Sequence, residues 1–172
     1  FANVMRPIVK RSFQPTRVDM LPLALRQSMS TMLSGRPGPV NLDVPFNLFQ
    51  EEDDVRLESG ARAIVNERRS AASPEQVAEA VDMLLASARP ALFIGHGVTI
   101  SEASEELTAL AHLLSIPVIS SPNGMGCFDM EDPLSLGFIG RNGAYPANQA
   151  GRLADLVLAI GARFDDRSSS SW

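Results

Sequence analysis

The chain has 172 residues, 45% hydrophobic and 20% charged, the proportions of an ordinary soluble globular protein. Fifteen Lys and Arg against twenty Asp and Glu give a net charge of −5, with no basic cluster longer than Arg68-Arg69. Such a surface excludes nucleic-acid backbone binding, which needs a concentrated basic face, and no apolar run reaches membrane-spanning length.

At the N-terminus, FANVMRPIVKRSF sets Arg6, Lys10 and Arg11 among apolar residues, so the unbroken apolar core of a secretory signal is missing. Asp19 is expected to cap a helix whose first turn holds Pro22, tolerated there because first-turn amides have no partner inside the helix. That helix runs to about Leu33, with Leu21, Leu25, Met29, Met32 and Leu33 on one face. In SGRPGPVNLDVP, Gly35, Pro37 and Gly38 turn the chain, and PVNLDV reads as a short strand stopped by Pro45. This isolated αβ unit offers its strand no partner. From Phe49 to Ala72 the sequence turns acidic and basic with weak periodicity, the pattern of a linker. Glu51 to Asp54 read as a solvated run, since adjacent carboxylates with no histidine nearby make poor metal ligands.

Ser73-Pro74-Glu75 is a helix start, with a capping serine, proline at the first helical position and an acid at the positive dipole end. Val77, Val81, Leu84 and Leu85 form its expected buried stripe. Pro90 introduces ALFIGHG, a buried strand ending in glycines; a helix from Ser101 carries Leu107, Leu110, Ala111 and Leu114; and Ile116 to Ser120 is the next strand. A long glycine-bearing connection leads to a helix over Ala147–Leu153 and a fully buried strand over Asp155–Ile160. Helices alternating with short apolar strands predict an α/β fold with a doubly wound, mainly parallel sheet, preceded by the end of another α/β domain.

Ligands of such sheets sit beyond the carboxyl ends of the strands. Gly95 and Gly97 follow the first strand of this segment, Ser121, Asn123, Gly124 and Gly126 the second, and Gly161 the third, with Gly140 and Gly143 in the connection between the last two. Glycines there let backbone amides approach a ligand, such as a dinucleotide, or simply make tight turns. GHGVTI lacks the third glycine of the dinucleotide fingerprint. GARFDDR, residues 161–167, admits two readings: Arg163 faces an anion while Asp165 and Asp166 orient arginines or accept from ribose, or the whole is a surface Asp–Arg network on the sheet edge. His96, between two glycines, reads as a loop residue near a ligand rather than a base, and His112 lies on a helix face. The lone Cys127 reads as a buried thiol and, forming no intrachain disulfide, suits a reducing cytoplasm. No catalytic or metal-ligating residue is assigned.

The ordered series SGRPGPVNLDVP (34–45), PALFIGHGV (90–98), IPVISSPNGMGCF (116–128), LGFIGRNGAYPANQA (136–150) and ADLVLAIGARFDDR (154–167) resembles the thiamine-diphosphate-dependent enzymes of the acetolactate (acetohydroxyacid) synthase group. The resemblance implies that residues 1–48 are the end of a pyrimidine-binding domain, 49–73 a linker and 74–172 the larger part of a central domain. It implies FAD along the edge described above, against Gly97; Ser121, Pro122, Asn123 and Gly124; Ile139, Gly140, Arg141 and Asn142; and Gly161, Ala162, Arg163, Phe164 and Asp165, with Asp166 and Arg167 nearer an active-site entrance. It further implies thiamine diphosphate and Mg²⁺ bound by segments other than these, a 2-oxo acid or dione substrate, and a homodimer or homotetramer. Two departures stand out: Asn142 where synthases usually carry histidine, and SPNG at 121–124 where they carry T-x-x-G. A dione hydrolase or another C–C lyase of the group is therefore an alternative, as is a non-catalytic nucleotide-binding module on the same fold. The opening on FANVM, the ending on RSSSSW, and the group's activating glutamate and metal motif lying elsewhere all point to part of a longer polypeptide, expected to be inactive by itself.

Overall fold

The structure is a computed structural model that describes residues 2–55 and 71–169. The chain divides into two compact units, residues 1–71 and 72–172.

In the first unit, α1 (Ala2–Met5) and β1 (Ser12–Phe13) precede a 3-10 turn at Val18–Met20, α2 (Leu21–Leu33), β2 (Asn41–Leu42) and a 3-10 helix at Phe46–Gln50. The strand expected at 39–44 does have a partner: β1 and β2 pair in parallel, Ser12 opposite Asn41 and Phe13 opposite Leu42, with α2 as the crossover. Two residues between Arg11 and Gln14 are too few to show strand periodicity. Asp19 does not cap α2. It lies in the preceding turn, where its carboxylate takes the Arg17 guanidinium, Nε at 2.9 Å, and Met20 occupies the cap position without a capping side-chain bond. Leu25 and Leu33 are exposed, and the residues that α2 buries are Ala24 and Ser28. A two-stranded sheet offers a narrow contact, and small residues let the helix settle onto it. Lys10 completes the other end of α2 by donating to the carbonyls of Ser34 at 2.6 Å and Arg36 at 3.0 Å. Glu51 to Asp54 are exposed, as a solvated run should be; residues 56–70 of the expected linker lie outside the described residues.

The second unit contains α3 (Pro74–Ala86), β3 (Pro90–Ile94), α4 (Gly97–Ile100), α5 (Ser104–Leu114), β4 (Val118–Ser120), β5 (Ser135–Phe138), α6 (Tyr145–Leu153) and β6 (Leu156–Ile160). Ser73 opens α3 with a capping box: its hydroxyl accepts from the Gln76 amide and the Gln76 side chain accepts from the Ser73 amide, with Pro74 at the first helical position. All four strands are parallel, in the order β5-β4-β3-β6. One face packs Leu92 and Ile94 of β3 and Val118 of β4 against Leu84 of α3 and Leu107 and Ala111 of α5. The other packs Phe93 and Ile119 against Ala147 of α6. Helices on both faces make the sheet doubly wound.

The structure departs from the sequence reading at three elements here. Of the stripe on α3 only Leu84 is buried, at 7% exposure, while Leu85 is 66% exposed and Val77 and Val81 also face outward. The helix expected from Ser101 begins later, at Ser104 of α5: a short α4 over Gly97–Ile100 precedes it, and Glu102 in left-handed conformation (φ 54°) separates the two. Strand β6 is not buried on both faces, because it lies at the sheet edge and α6 covers β4 and β5; Val157 and Ala159 are exposed between the half-buried Leu156, Leu158 and Ile160. The strand β5 lies inside the connection that read as loop. Its register against β4 slips by one residue between Val118↔Ser135 and Ser120↔Phe138, a bulge that re-aims the side chains following it.

Candidate functional site

Chain order and strand order part company at β3: the chain proceeds outward through β4 and β5, then returns to place β6 on the other side of β3. Such a switch point is where a parallel sheet opens a crevice beyond its carboxyl ends. Here that crevice is closed by backbone. The Gly97 amide donates to the Gly161 carbonyl at 3.0 Å, the Gly95 amide donates to the Ile160 carbonyl at 3.0 Å, and a Cβ on Gly97 would lie 2.6 Å from Gly161 Cα. Gly161 itself has φ +58°. The glycines thus let two loops meet, and the close approach they allow is made by protein. Gly124 is used in the same way, since a Cβ there would sit 2.6 Å from the Ile94 carbonyl oxygen.

Beyond Gly161 the segment GARFDDR crosses the ends of the strands. Ala162 packs with the Phe93 cluster, and the Phe164 ring lies 5.3 Å from that of Phe93 at an interplanar angle of 56°. The segment then reaches the loop after β5, where the Arg141 amide donates to the Arg167 carbonyl at 3.2 Å. Its far end is tied by Asp165, whose Oδ1 accepts from the Ser168 amide at 2.9 Å while its carbonyl accepts from the Ser169 amide at 2.9 Å. The Ser168 amide, with a smaller contribution from the charge of Arg163, holds the Asp165 carboxyl below the usual carboxylate range. Asp165 therefore folds the turn that carries Asp166 and Arg167.

Between this turn and the loops after β4 and β5 lies a cleft of about 370 Å³ lined by Pro122, Phe138, Arg141, Asn142, Asp166 and Arg167. Two arginines, an aspartate and an asparagine line it together with Phe138 and Pro122, a composition suited to an anionic, partly apolar ligand. Of the residues singled out from sequence, Pro122, Arg141, Asn142, Asp166 and Arg167 meet here. Gly97, Gly161 and Ala162 sit instead in the closed β3–β6 junction; Ser121 is buried and donates its amide to the Ile94 carbonyl at 2.8 Å; Ile139 donates to Ser120 at 2.9 Å. Asn123 and Arg163 are exposed. Phe138 escaped notice because the strand that ends at it did. Asn148, which bonds to Gly140, was also missed, although an asparagine inside an otherwise apolar helix face is a signal that the side chain bonds elsewhere.

His96 is exposed at the start of α4, and His112 lies on the face of α5 with its Nε2 2.8 Å from Asp132 Oδ2. Cys127 is buried, 3.0 Å from the Thr99 hydroxyl. Among the described residues no three His, Cys, Asp or Glu converge as metal ligands, and no helix is long and apolar enough to cross a membrane. A larger groove, about 540 Å³, lies at the opposite edge of the sheet between the ends of α3, α5 and α6. Among the described residues Arg89 is its only charged lining residue, so it lacks the mixed charge of the cleft.

These features define a doubly wound α/β domain with its polar cleft beyond the carboxyl ends of a parallel sheet. Residues 77–172 match the family described as thiamine pyrophosphate enzyme, central domain. The chain belongs to that family. It is 36% identical over 168 residues to the probable acetolactate synthase large subunit of Methanocaldococcus jannaschii, covering 96% of this chain and 28% of that protein. Against the acetolactate synthase isozyme 3 large subunit of Escherichia coli K12 the identity is 30% over 172 residues, with coverage of 98% and 30%. The chain thus spans under a third of the length of these curated relatives. A solved thiamine diphosphate-dependent 4-hydroxybenzoylformate decarboxylase from Rhodococcus jostii RHA1 superposes with a TM-score of 0.73 at 24% identity, over 94% of this chain and 30% of that one, which shows the shared fold.

Proposed function

We propose that these residues serve within a thiamine-diphosphate-dependent enzyme that joins or cleaves carbon–carbon bonds of 2-oxo acids, in the manner of an acetolactate synthase. The observation that carries the reading is the match to acetolactate synthase large subunits along 96–98% of the chain, a coverage that takes in both of its units. In this reading residues 1–48 end the pyrimidine-binding domain, 49–73 link, and 74–172 form most of the central domain. The protein acts in the cytoplasm as a homodimer or homotetramer.

The share of this segment is to bind and orient FAD. The residues fit part of such a molecule. Arg141 and Arg167 offer guanidinium donors for a diphosphate, Asn142 and Asp166 offer partners for ribose or ring N–H and O–H groups, and Phe138 and Pro122 supply apolar contact. A cleft of about 370 Å³ is at the small end of ligand sites, so the rest of a dinucleotide would extend along the outer surface past Asn123 and Arg163. Thiamine diphosphate with Mg²⁺, held by other segments, would supply the electron sink for the carbanion chemistry.

A dione hydrolase or C–C lyase is the second reading, and Asn142 favours it, because it puts a neutral carboxamide in the wall of the cleft where synthases usually carry a titratable imidazole. The full-length protein, supplied with thiamine diphosphate, Mg²⁺ and FAD, is expected to convert pyruvate to acetolactate. Ring opening of a cyclic dione without carboligation would select the second reading, and turnover of neither would contradict both.

A further inference from the structure

Asn148 stands inside α6, and its backbone amide makes the ordinary helical bond to the Ala144 carbonyl at 3.0 Å. Its side chain leaves the helix. Oδ1 accepts from the Gly140 amide at 2.8 Å, and Nδ2 donates to the Gly140 carbonyl at 3.0 Å. One carboxamide thus bonds both backbone groups of a single buried residue just where β5 has ended, its Oδ1 taking the Gly140 amide and its Nδ2 sharing the Gly140 carbonyl with the Gly143 amide, which donates to it at 2.9 Å.

Gly140 is held at φ +120°, and a Cβ there would overlap the Arg167 carbonyl oxygen, so GARFDDR passes directly over it. The next amide, Arg141, donates to that same carbonyl at 3.2 Å. The result is a three-part joint: the α6 carboxamide grips Gly140, and Gly140 with Arg141 grips Arg167. Arg141 and Asn142 leave the joint on one side and Asp166 and Arg167 on the other, and these four residues are walls of the cleft.

We infer that Asn148 is a positioning residue of the cleft, whose two-point grip on Gly140 sets the spacing of the Arg141 and Arg167 guanidinium groups. The step from spacing to ligand rests on the reading above, that the cleft takes the diphosphate-bearing FAD. A helix-capping role does not account for the bonds, because Asn148 lies in the helix interior and its side chain reaches eight residues back in sequence.

The test compares the wild-type chain with Asn148→Ala and Asn148→Asp by amide hydrogen exchange in NMR and by FAD titration. Asn148→Asp keeps the acceptor for the Gly140 amide and loses the donor to its carbonyl. In Asn148→Ala, protection at Gly140 and Arg141 is expected to fall at least tenfold, while Ile139, bonded to Ser120, and Gly95, bonded to Ile160, keep theirs. FAD affinity is expected to fall about tenfold, as the loss of two neutral hydrogen bonds would allow, with Asn148→Asp between the two. Unchanged protection at Gly140 and Arg141 would overturn the inference, and so would a loss spread evenly over the sheet, which would make Asn148 a residue of the general fold. Local loss of protection with unchanged FAD affinity would also overturn it. Wild-type chain that takes up no FAD would end the flavin reading instead, leaving the exchange data to decide whether the joint exists.

Discussion

Asp155 shows how a single carboxylate can hold a sheet edge in place. At the start of β6 it accepts from the Ser87 hydroxyl and from the amides of Ala88 and Arg89, both at 2.9 Å, pinning the turn between α3 and β3 to the neighbouring strand. The Ser87 bond and those amides lower its pKa to about 2. The folded state therefore binds the proton less tightly than the unfolded one. The stabilisation is complete above the ordinary carboxylate range, near pH 4, and is lost as pH falls through about 2. Asp155→Asn is expected to unfold at a lower temperature than wild type at pH 7, with the gap closing between pH 4 and pH 2; a gap independent of pH would show that the charge has no part in it. At Gly140 the argument is steric. Gly140→Ala forces a side chain into a φ of +120° and against the Arg167 carbonyl, at a cost of about 1–3 kcal/mol from the backbone alone. Urea denaturation should show at least that loss, and a neutral result would mean the junction is looser than described. Among residues, DDR was legible because it puts charge beside a predicted strand end, whereas Arg141 and Asn142 of GRN, in a connection that read as loop, were reached only through the resemblance. The partner that shapes the cleft, Asn148, was not, because nothing in its local sequence says which residue eight positions away it will bind.

Local chemistry decides the elements at their starts more firmly than along their faces. The signal at Ser73-Pro74-Glu75 became a capping box and a helix, and Ser73→Ala is expected to cost about 1 kcal/mol in equilibrium unfolding. The apolar stripe that follows was legible only as a list of candidates. Leu84 is buried and Leu85 is exposed, so Leu84→Ala should cost about 2–5 kcal/mol and Leu85→Ala less than about 0.5 kcal/mol. Equal losses at the two positions would mean that α3 sits on the sheet by a different face. Strands β3, β4 and β6 carry enough consecutive apolar residues to be read directly. Two short strands escaped for physical reasons: β1 is two residues long, and β5 is interrupted by Gly137 at its bulge, which breaks the alternation that marks a strand. Glycines after the strands were legible as close-approach positions, but sequence could not say that protein, not a ligand, makes the approach at Gly95, Gly97 and Gly124.

For the whole molecule, order along the chain is more informative than any single motif. The five segments that carry the resemblance lie in both units, and the relatives align across both. Within the second unit, the reversal of strand order at β3 and the crossing of GARFDDR bring Asp166 and Arg167 to one cleft with residues 24 to 45 positions earlier in the chain. In the proposed enzyme this unit binds and orients, and the thiamine chemistry belongs to other segments; the 172 residues alone are expected to show no carboligation or decarboxylation, and reproducible turnover by them would contradict that division of labour. The most direct measurement of the central claim is a calorimetric titration of FAD into the purified chain and into its Arg141→Ala and Arg167→Ala variants. Saturable uptake at one FAD per chain, weakened at least tenfold in each variant, is the predicted result. No saturable uptake, or uptake that neither substitution changes, would contradict the assignment of the cleft.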